Sequence, residues 1–336
     1  MVAVTSRPTL EQVAERAGVS RATVSRVVNG SPTVAATIRE SVQRAIAELG
    51  YVPNQAARSL VTQRTDSIAL ILPETEFRVF SEDQAIPGFI RGVSQELEGA
   101  DKQLVLMVGG SQASHDRIER YALARHVDGV IIASMHGADP LPNALHRMGI
   151  PVLCGGRPLG RSPVPYVEVD NVGGARMAVR HLLQSGRTRI ATVAGPQDMV
   201  AGIDRLNGYR EVLRDTDRRS IVAVGDFTRE SGAVAMRQLL SDDPHLDAVF
   251  VASDLMAFGA LTALREAGRR VPDDVALVGF DDVEQAKYAE PPLTTVRQPI
   301  IGQGREMARQ LLRLAAGEDV PHAVVLPTEM VIRASA

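Results

Sequence analysis

The chain has 336 residues, of which 45% are apolar and 23% charged, and its formal net charge is −3 at pH 7. This length provides for two or three domains of ordinary globular composition. No stretch of 18 apolar residues occurs, so no membrane-spanning helix is predicted. The N-terminal residues lack the apolar segment of a secretory signal, and the single cysteine, Cys154, cannot form an internal disulfide. We therefore expect a cytoplasmic protein in which Cys154 packs as a small apolar residue.

The charge is distributed unevenly along the chain. Residues 1–64 contain eight arginines and four glutamates, a net charge of +4, so the remainder carries −7 of the total of −3. A basic head on an acidic body indicates that the head alone meets a polyanion such as DNA.

The head begins with two short predicted helices separated by a turn at Gly18. Thr9 and Gln12 form a capping-box pattern at the start of the first helix, which runs from Leu10 to Arg16. Ser20 is the predicted N-cap of the second helix, which ends at Val28.

The second helix has one apolar and one polar face. Val24, Val27 and Val28 recur at the spacing of a helix stripe, whereas the other face carries Arg21, Ala22, Ser25 and Arg26. Such a helix suits insertion into the major groove of DNA. The alternative is an ordinary amphipathic helix with solvated arginines.

A third helix is predicted within the segment from Thr33 to Leu49. Its core side would consist of Ile38, Val42, Ile46 and Leu49, and Gly50 would end it. The following segment, 53–60, reads as a short helix that orders only on contact with a partner. Leu60, between Arg58 and Arg64, could wedge into the minor groove, or it could belong to a plain linker.

From Ser67 the pattern changes to alternating strands and helices. Predicted strands are 68–72, 104–108, 130–133, 151–154, 166–169, 190–193, 221–224, 248–251, 275–278, 295–296 and 322–327. Predicted helices are 86–97, 117–124, 141–147, 173–183, 205–214, 231–240, 256–267 and 301–314. Two successive arrays of this kind predict two doubly wound parallel-sheet subdomains, with ligands bound at the carboxyl ends of the strands.

The head resembles the DNA-binding head and hinge of the lactose-repressor (LacI/GalR) family. The resemblance rests on the residues from Leu10 to Asn29, from Glu48 to Asn54 and from Ala57 to Leu60. It implies that Arg21, Ala22 and Arg26 read base edges. It further implies phosphate-binding or supporting roles for Thr9, Ser20, Thr23, Ser25, Asn29 and Thr33, and hinge-helix contacts for Asn54, Ala57, Arg58 and the wedge Leu60.

The resemblance continues into the body, which is similar to periplasmic-binding-protein-like repressor cores. It implies a helix-turn-helix head at residues 1–52 and a hinge helix with linker at 53–66. The first core subdomain is expected to comprise 67–165 with 296–327, and the second 166–295 with 328–336.

The implied effector site consists of polar and aromatic residues at strand ends. Arg205, Phe227, Asp281 and Gln298 match cleft positions of the family, and a carboxylate such as Asp281 suits two vicinal sugar hydroxyls. Arg205 could instead cap or pair at a helix start. Ser253 is the remaining candidate, together with Asp254, which reads equally as a helix N-cap and as a ligand contact.

One segment departs from the family pattern. Close relatives usually carry a phenylalanine pair in the first loop, whereas residues 80–87 here read Phe-Ser-Glu-Asp-Gln-Ala-Ile-Pro and lack the pair at Ala85-Ile86. Other segments, including 125–129, 155–158, 194–199 and 225–227, resemble repressors that respond to cello-oligosaccharides or β-glucosides.

We therefore predict a homodimeric transcriptional repressor that a small sugar releases from a palindromic double-stranded operator. The alternatives are a regulator with a purine or phosphoprotein corepressor, and a solute-binding module. No nucleophile–base set indicates an enzyme, and the seven histidines lack ligand spacing, so neither a metal nor another cofactor is predicted.

Overall fold

The computed structural model describes residues 8–31, 33–52, 64–73 and 85–336. The chain divides into two compact units, Met1–Thr65 and Asp66–Ala336. The predicted hinge residues Asn54, Ala57, Arg58 and Leu60 lie outside the described residues, as do residues 80–84 of the first loop.

The first unit contains three helices in its described part: α1 (Leu10–Ala17), α2 (Arg21–Val28) and α3 (Ala36–Leu49). The capping box of α1 is confirmed, because the Gln12 backbone N–H donates to Thr9 Oγ1 and the Thr9 N–H donates to Gln12 Oε1. Gly18 and Gly50 end α1 and α3 in the left-handed conformation, with φ of 67° and 62°. Both are therefore positions that favour glycine.

A small apolar core holds these helices together. Val13, Val24 and Val42 are fully buried, and Tyr51 closes the cluster. The prediction for Ile38 is wrong: it is 36% exposed, and Ala45 is buried on α3 instead. Ala45 lies three residues after Val42, so the buried stripe of α3 follows the i, i+3 spacing from Val42 rather than continuing to Ile38.

The second unit contains two six-stranded sheets. The first sheet has the order β11-β5-β4-β3-β1-β2 and is parallel throughout, with strands β1 (Ser67–Leu72), β2 (Gln103–Val108), β3 (Gly129–Ala133), β4 (Val152–Gly155), β5 (Tyr166–Val169) and β11 (Ala323–Leu326). Its helices are α4 (Ala85–Gly99), α5 (Gln112–Leu123), α6 (Leu141–Arg147) and α11 (Ile300–Ala315).

The second sheet has the order β12-β10-β9-β8-β6-β7. Its strands are β6 (Ile190–Ala194), β7 (Ile221–Val224), β8 (Ala248–Val251), β9 (Ala276–Asp281), β10 (Thr294–Arg297) and β12 (Glu329–Val331), and only β12 runs antiparallel to its neighbour. Its helices are α7 (Asn171–Gln184), α8 (Val200–Asp215), α9 (Arg229–Asp242), α10 (Asp254–Glu266) and a 3₁₀ turn at Glu284–Tyr288.

Both sheets are covered by helices on their two faces. Alternate residues of each buried strand enter different clusters: in β1, Leu70 packs with α4 and α11, whereas Ile71 packs with α5 and α6. Cys154 is fully buried in the second of these clusters, as predicted, and burial raises the pKa of its thiol. The helices α4 and α11 cross closely at Gly92, where a Cβ would lie 2.2 Å from the Ile301 carbonyl oxygen.

The sheet topology corrects the predicted subdomain boundaries. The strand β5 pairs with β4 and β11 and so belongs to the first sheet, whereas β10 pairs with β9 and belongs to the second. The chain therefore crosses between the sheets after Val169, after Arg297 and after Leu326, close to the predicted crossings near 165, 295 and 328, and the two short strands change sides. These short strands have no local signal for the sheet that they join, because strand pairing is a long-range choice.

Candidate DNA-reading helix and ligand cleft

The helix α2 presents the residues expected to read bases on an exposed face. Ser20 is its N-cap, and its Oγ accepts the Thr23 backbone N–H at 3.2 Å. Because Val24 and Val27 are buried on the opposite face, Arg21, Ala22 and Arg26 are exposed. These three residues are therefore accessible to a partner, and their contacts with bases stay predictions.

The two exposed arginines of α2 differ in their surroundings. Arg21 Nε lies 2.9 Å from Glu11 Oε1 in a solvent-exposed pair, which contributes at most about 1 kcal/mol. The Arg26 guanidinium has no hydrogen-bond or ion-pair partner among the residues that the structure describes. Of the two guanidinium groups, that of Arg26 is thus the more readily available to a base.

The remaining polar residues of the head contact each other. Thr9 and Ser20 cap helices, and Thr23 Oγ1 lies 2.9 Å from Ser20 Oγ. Asn29 Nδ2 donates to Ser25 Oγ at 3.4 Å, and the Thr33 hydroxyl lies 2.8 Å from that of Ser31. These side chains stabilise the turns beside α2, and their phosphate contacts stay predictions.

The cleft of the second unit lies at the carboxyl ends of the strands. Five of the six predicted effector residues line it, each at the end of a different strand of the second sheet or in the segment after it: Arg205, Phe227, Ser253, Asp281 and Gln298. The empty space between these residues, including the part open to solvent, is about 1010 Å³.

Arg205 is held in a fixed orientation beneath the cleft. It is 4% exposed; its Nε donates to Asn171 Oδ1 at 2.9 Å and its Nη1 to the Ala252 carbonyl at 2.6 Å. The guanidinium carbon lies 3.7 Å from the ring centre of Phe280, a cation–π contact. Asn171 is the first residue of α7, so these contacts also fit the alternative in which Arg205 pairs at a helix start, and its contact with a ligand stays a prediction.

Asp281 faces Arg205 and Gln298. Its Oδ1 accepts from Gln298 Nε2 at 2.6 Å and from Arg205 Nη1 at 3.3 Å. Three polar groups of different charge therefore meet at one point of the cleft, and together they offer both donors and acceptors to a hydroxylated ligand.

The backbone turn at Asp281 is strained, and side chains from outside the turn stabilise it. Asp281 and Asp282 have φ of 120° and 59°, values that L-residues rarely adopt. Asp282 accepts from Arg297 Nε and from Arg333 Nη2, both at 2.6 Å. Such strain persists only where surrounding contacts over-determine the backbone.

Asp254 is placed differently from its prediction. It does not line the cleft and is fully buried; Thr295 Oγ1 donates to its Oδ1 at 2.5 Å and the Val283 N–H to its Oδ2 at 3.0 Å. It is not the N-cap either, because Ser253 Oγ accepts the Met256 N–H. Burial, and next the charge of Asp281, raise the pKa of Asp254.

Aromatic residues flank the polar centre. Phe227 has φ of 70° and packs on Gly195, where a Cβ would lie 2.4 Å from the ring. Phe89, in the second turn of α4, also lines the cleft. The wall of the cleft on the side of the first sheet therefore carries an aromatic side chain, although the phenylalanine pair is missing at Ala85-Ile86. Phe89 was not predicted from the sequence as a cleft residue.

Other cleft residues were also missed. Asn171, Gln303, Glu168 and Arg157 line the cleft, and Gln303 is 4% exposed with its Nε2 donating to the Val167 carbonyl. The position of Glu168 and Asn171 at the end of a short strand, β5, was the available signal. It could have nominated them by the same rule that nominated Asp281.

Two side-chain pairs connect the sheets across the cleft. Arg157, after β4, donates to Asp204 Oδ2 at 2.6 Å, and His136 Nδ1, after β3, lies 2.9 Å from Asp198 Oδ2. The Gly137 N–H also donates to the Asp198 carbonyl at 2.7 Å. These contacts hold the two strand-end walls together.

Neither a membrane-spanning helix nor a metal-ligand cluster is found in the part of the chain that the structure describes. No helix in the described ranges is long and apolar enough to cross a bilayer. Among the same residues, no group of three or more His, Cys, Asp or Glu side chains could hold a metal ion.

Two family models match the chain. Residues 9–54 match "Bacterial regulatory proteins, lacI family", and residues 179–336 match "Periplasmic binding protein-like domain". The first covers the three-helix head, and the second covers all six strands of the second sheet together with α11 and β11.

Individual relatives match nearly the whole chain. It is 51% identical over 335 residues to the HTH-type transcriptional regulator CelR of Thermobifida fusca, covering 98% of both chains. Among solved structures, it is similar to a transcriptional regulator CelR–cellobiose complex, with 49% identity, a TM-score of 0.78 and coverage of 98% of this chain and 100% of that one. It is also similar to the lac repressor dimer bound to operator and the anti-inducer ONPF, with 30% identity, a TM-score of 0.85 and coverage of 98% and 99%. The chain therefore belongs to the lacI family of bacterial regulatory proteins.

Proposed function

We propose that the protein is an operator-binding transcriptional repressor whose DNA affinity falls when a neutral sugar, a β-glucoside or cello-oligosaccharide, binds in the cleft. The observation that carries this proposal is the Arg205–Asp281–Gln298 centre. Its donors and acceptors suit vicinal hydroxyls. The effector class is supported by the relative whose structure holds cellobiose.

The charges of the cleft favour an uncharged ligand. Arg205 pairs with Asp281, and Arg157 lies beside Glu168 and Asp204, so both arginines that line the cleft in the described part of the chain already face carboxylates. A phosphorylated or otherwise anionic ligand would have to displace one of these carboxylates, which costs desolvation and repulsion. A purine corepressor finds no specific support, and a solute-binding module without a head conflicts with the lacI-family match at residues 9–54.

The proposed signal is a change in population between core conformations. A sugar that contacts both walls favours the closed cleft, and only one core conformation supports ordered DNA-binding heads. Binding, rather than catalysis, is the proposed activity, and genomic DNA as partner implies action in the cytoplasm.

The proposed assembly is a homodimer on a palindromic operator. The lac repressor relative is a dimer on its operator. In this chain β2 is an edge strand of the first sheet and Leu106 on it is 38% exposed, a surface suited to a second copy. Sedimentation of the purified protein tests this: a monomer at micromolar concentration would contradict it.

The function itself is tested by electrophoretic mobility shift. The probe is the palindromic sequence nearest the gene, and a scrambled duplex is the control. We expect specific binding that cellobiose reverses, while glucose 6-phosphate and purines leave it unchanged. Binding that cellobiose does not affect, or that a purine strengthens, would contradict the proposed effector.

A further inference from the structure

A second polar cluster lines the cleft on the wall of the first sheet. Glu168 lies near the end of β5, and Arg157 follows β4. The Arg157 backbone N–H donates to Glu168 Oε2 at 3.3 Å, and Arg157 Nε lies 3.8 Å from Glu168 Oε1. This Glu168–Arg157 cluster does not take part in the Arg205–Asp281–Gln298 centre.

The carboxylate of Glu168 is incompletely paired. The 3.8 Å separation between Oε1 and Arg157 Nε is too long for a hydrogen bond, and Oε1 accepts none from the residues that the structure describes. The Glu168 side chain is nevertheless only 13% exposed. Burial raises the pKa of Glu168, and Arg157 opposes that rise. A partly buried carboxylate with one unpaired oxygen gains free energy from a ligand donor that reaches it.

The two clusters are close along the chain but belong to different walls. Glu168 stands three residues before Asn171, which accepts from Arg205 Nε, so their Cα atoms are at most about 10 Å apart. A ligand held at Arg205 and Asp281 therefore has a second set of polar groups within reach of its next ring.

We propose that Glu168 and Arg157 form a second sugar subsite, which accepts hydroxyl groups of the second ring of a neutral disaccharide. The first ring occupies the Arg205–Asp281–Gln298 centre. This inference rests on the proposed function. It adds that the ligand is a disaccharide and that Glu168 and Arg157 contact its second ring.

The subsite also explains how ligand length could control closure. A monosaccharide at Asp281 touches chiefly the second-sheet wall, whereas a disaccharide bridges to Glu168 on the first. Arg157 Nη2 already donates to Asp204 Oδ2 across the cleft at 2.6 Å. A second ring would therefore add to an existing contact between the two walls. Differential binding to the closed form is what shifts the conformational population.

Isothermal titration of the full chain with cellobiose tests the subsite. We compare the wild type with Glu168→Ala and with the matched control Glu266→Ala, whose side chain is 55% exposed in a surface pair with Arg237. Loss of hydrogen bonds to a charged acceptor predicts a Kd raised tenfold or more for Glu168→Ala, and an unchanged Kd for the control. Equal affinity of all three proteins would overturn the subsite.

A crystal structure of the wild type with cellobiose gives the second measurement, independent of how Glu168→Ala folds. We expect a hydroxyl of the second ring within hydrogen-bond distance of the Glu168 carboxylate. A second ring that contacts neither Glu168 nor Arg157 would overturn the inference while leaving sugar binding intact. If the wild type does not bind cellobiose at all, the proposed effector class fails instead.

Discussion

Replacing Asp281 with Asn removes one charge from the cleft without changing its shape. The amide oxygen of Asn can still accept from Gln298 Nε2 and Arg205 Nη1, which donate to Asp281 Oδ1 at 2.6 and 3.3 Å. The strained turn is held by contacts to Asp282 and Val283, which the substitution leaves in place. We therefore expect Asp281→Asn to fold.

The expected loss is in ligand affinity. A hydrogen bond to a charged group contributes roughly 1.5–3 kcal/mol and a neutral one roughly 0.5–1.5 kcal/mol. For two sugar hydroxyls donating to Asp281, the difference is about 2–3 kcal/mol, which raises the Kd roughly 30- to 150-fold.

Isothermal titration with cellobiose measures this change, and circular dichroism checks the fold. Asp242→Asn is the matched control, since Asp242 is exposed at the end of α9. The cellobiose concentration that half-releases the operator should rise by the same factor as the Kd. An Asp281→Asn protein that binds cellobiose as the wild type does would refute the assignment of Asp281 to the ligand.

Three further predictions follow from the contacts described above. Arg26→Ala should weaken specific operator binding by roughly 1–3 kcal/mol and relax base choice at one position in a mobility-shift series. The control, Arg44→Ala on α3, should weaken operator binding only slightly and without base preference. If Arg26→Ala lowers the affinity equally for all sequences, Arg26 contacts a phosphate instead. Asp204→Asn breaks the pair with Arg157 and should raise the cellobiose Kd by up to about fivefold, the worth of a partly exposed pair; an unchanged Kd in titration would contradict a role for the pair in closure. Burial raises the folded-state pKa of Asp254 above its ordinary 3.8, so wild-type stability falls as pH rises from that value towards the folded pKa. The amide side chain of the Asp254→Asn variant cannot titrate. The melting temperature of the variant minus that of the wild type should therefore be larger at about pH 7.5 than at about pH 5. The same difference at both pH values would contradict the raised pKa.

Local patterns were sufficient where the determining interactions are close in sequence. The capping box at Thr9, the N-cap at Ser20 and the turn at Gly18 all involve neighbours within four residues, and each was predicted. The buried stripe of α2 followed from its i, i+3 spacing. The prediction that Ile38 is buried was wrong because its position on a helix face predicts burial only where another element packs against that face.

The cleft was predictable in part for a different reason. Parallel strands end at the same edge, so residues after β6 to β10 could be nominated from the strand pattern, and five of six line the cleft. The prediction of a cleft position for Asp254 was wrong because the side chains of adjacent residues at a helix start point in different directions. Ser253 lines the cleft, whereas Asp254 accepts from Thr295.

The sequence by itself determined the element types, the helix caps of the head, the apolar strands and the separation of a basic head from an acidic body. These depend on periodicity, composition and contacts between near neighbours. Only the tertiary structure decided which sheet β5 and β10 join, which side chains cross the cleft, and that Glu168 stands incompletely paired opposite the Arg205 centre. Those outcomes depend on strand pairing and on side-chain direction between residues far apart in the chain, and no local pattern encodes either.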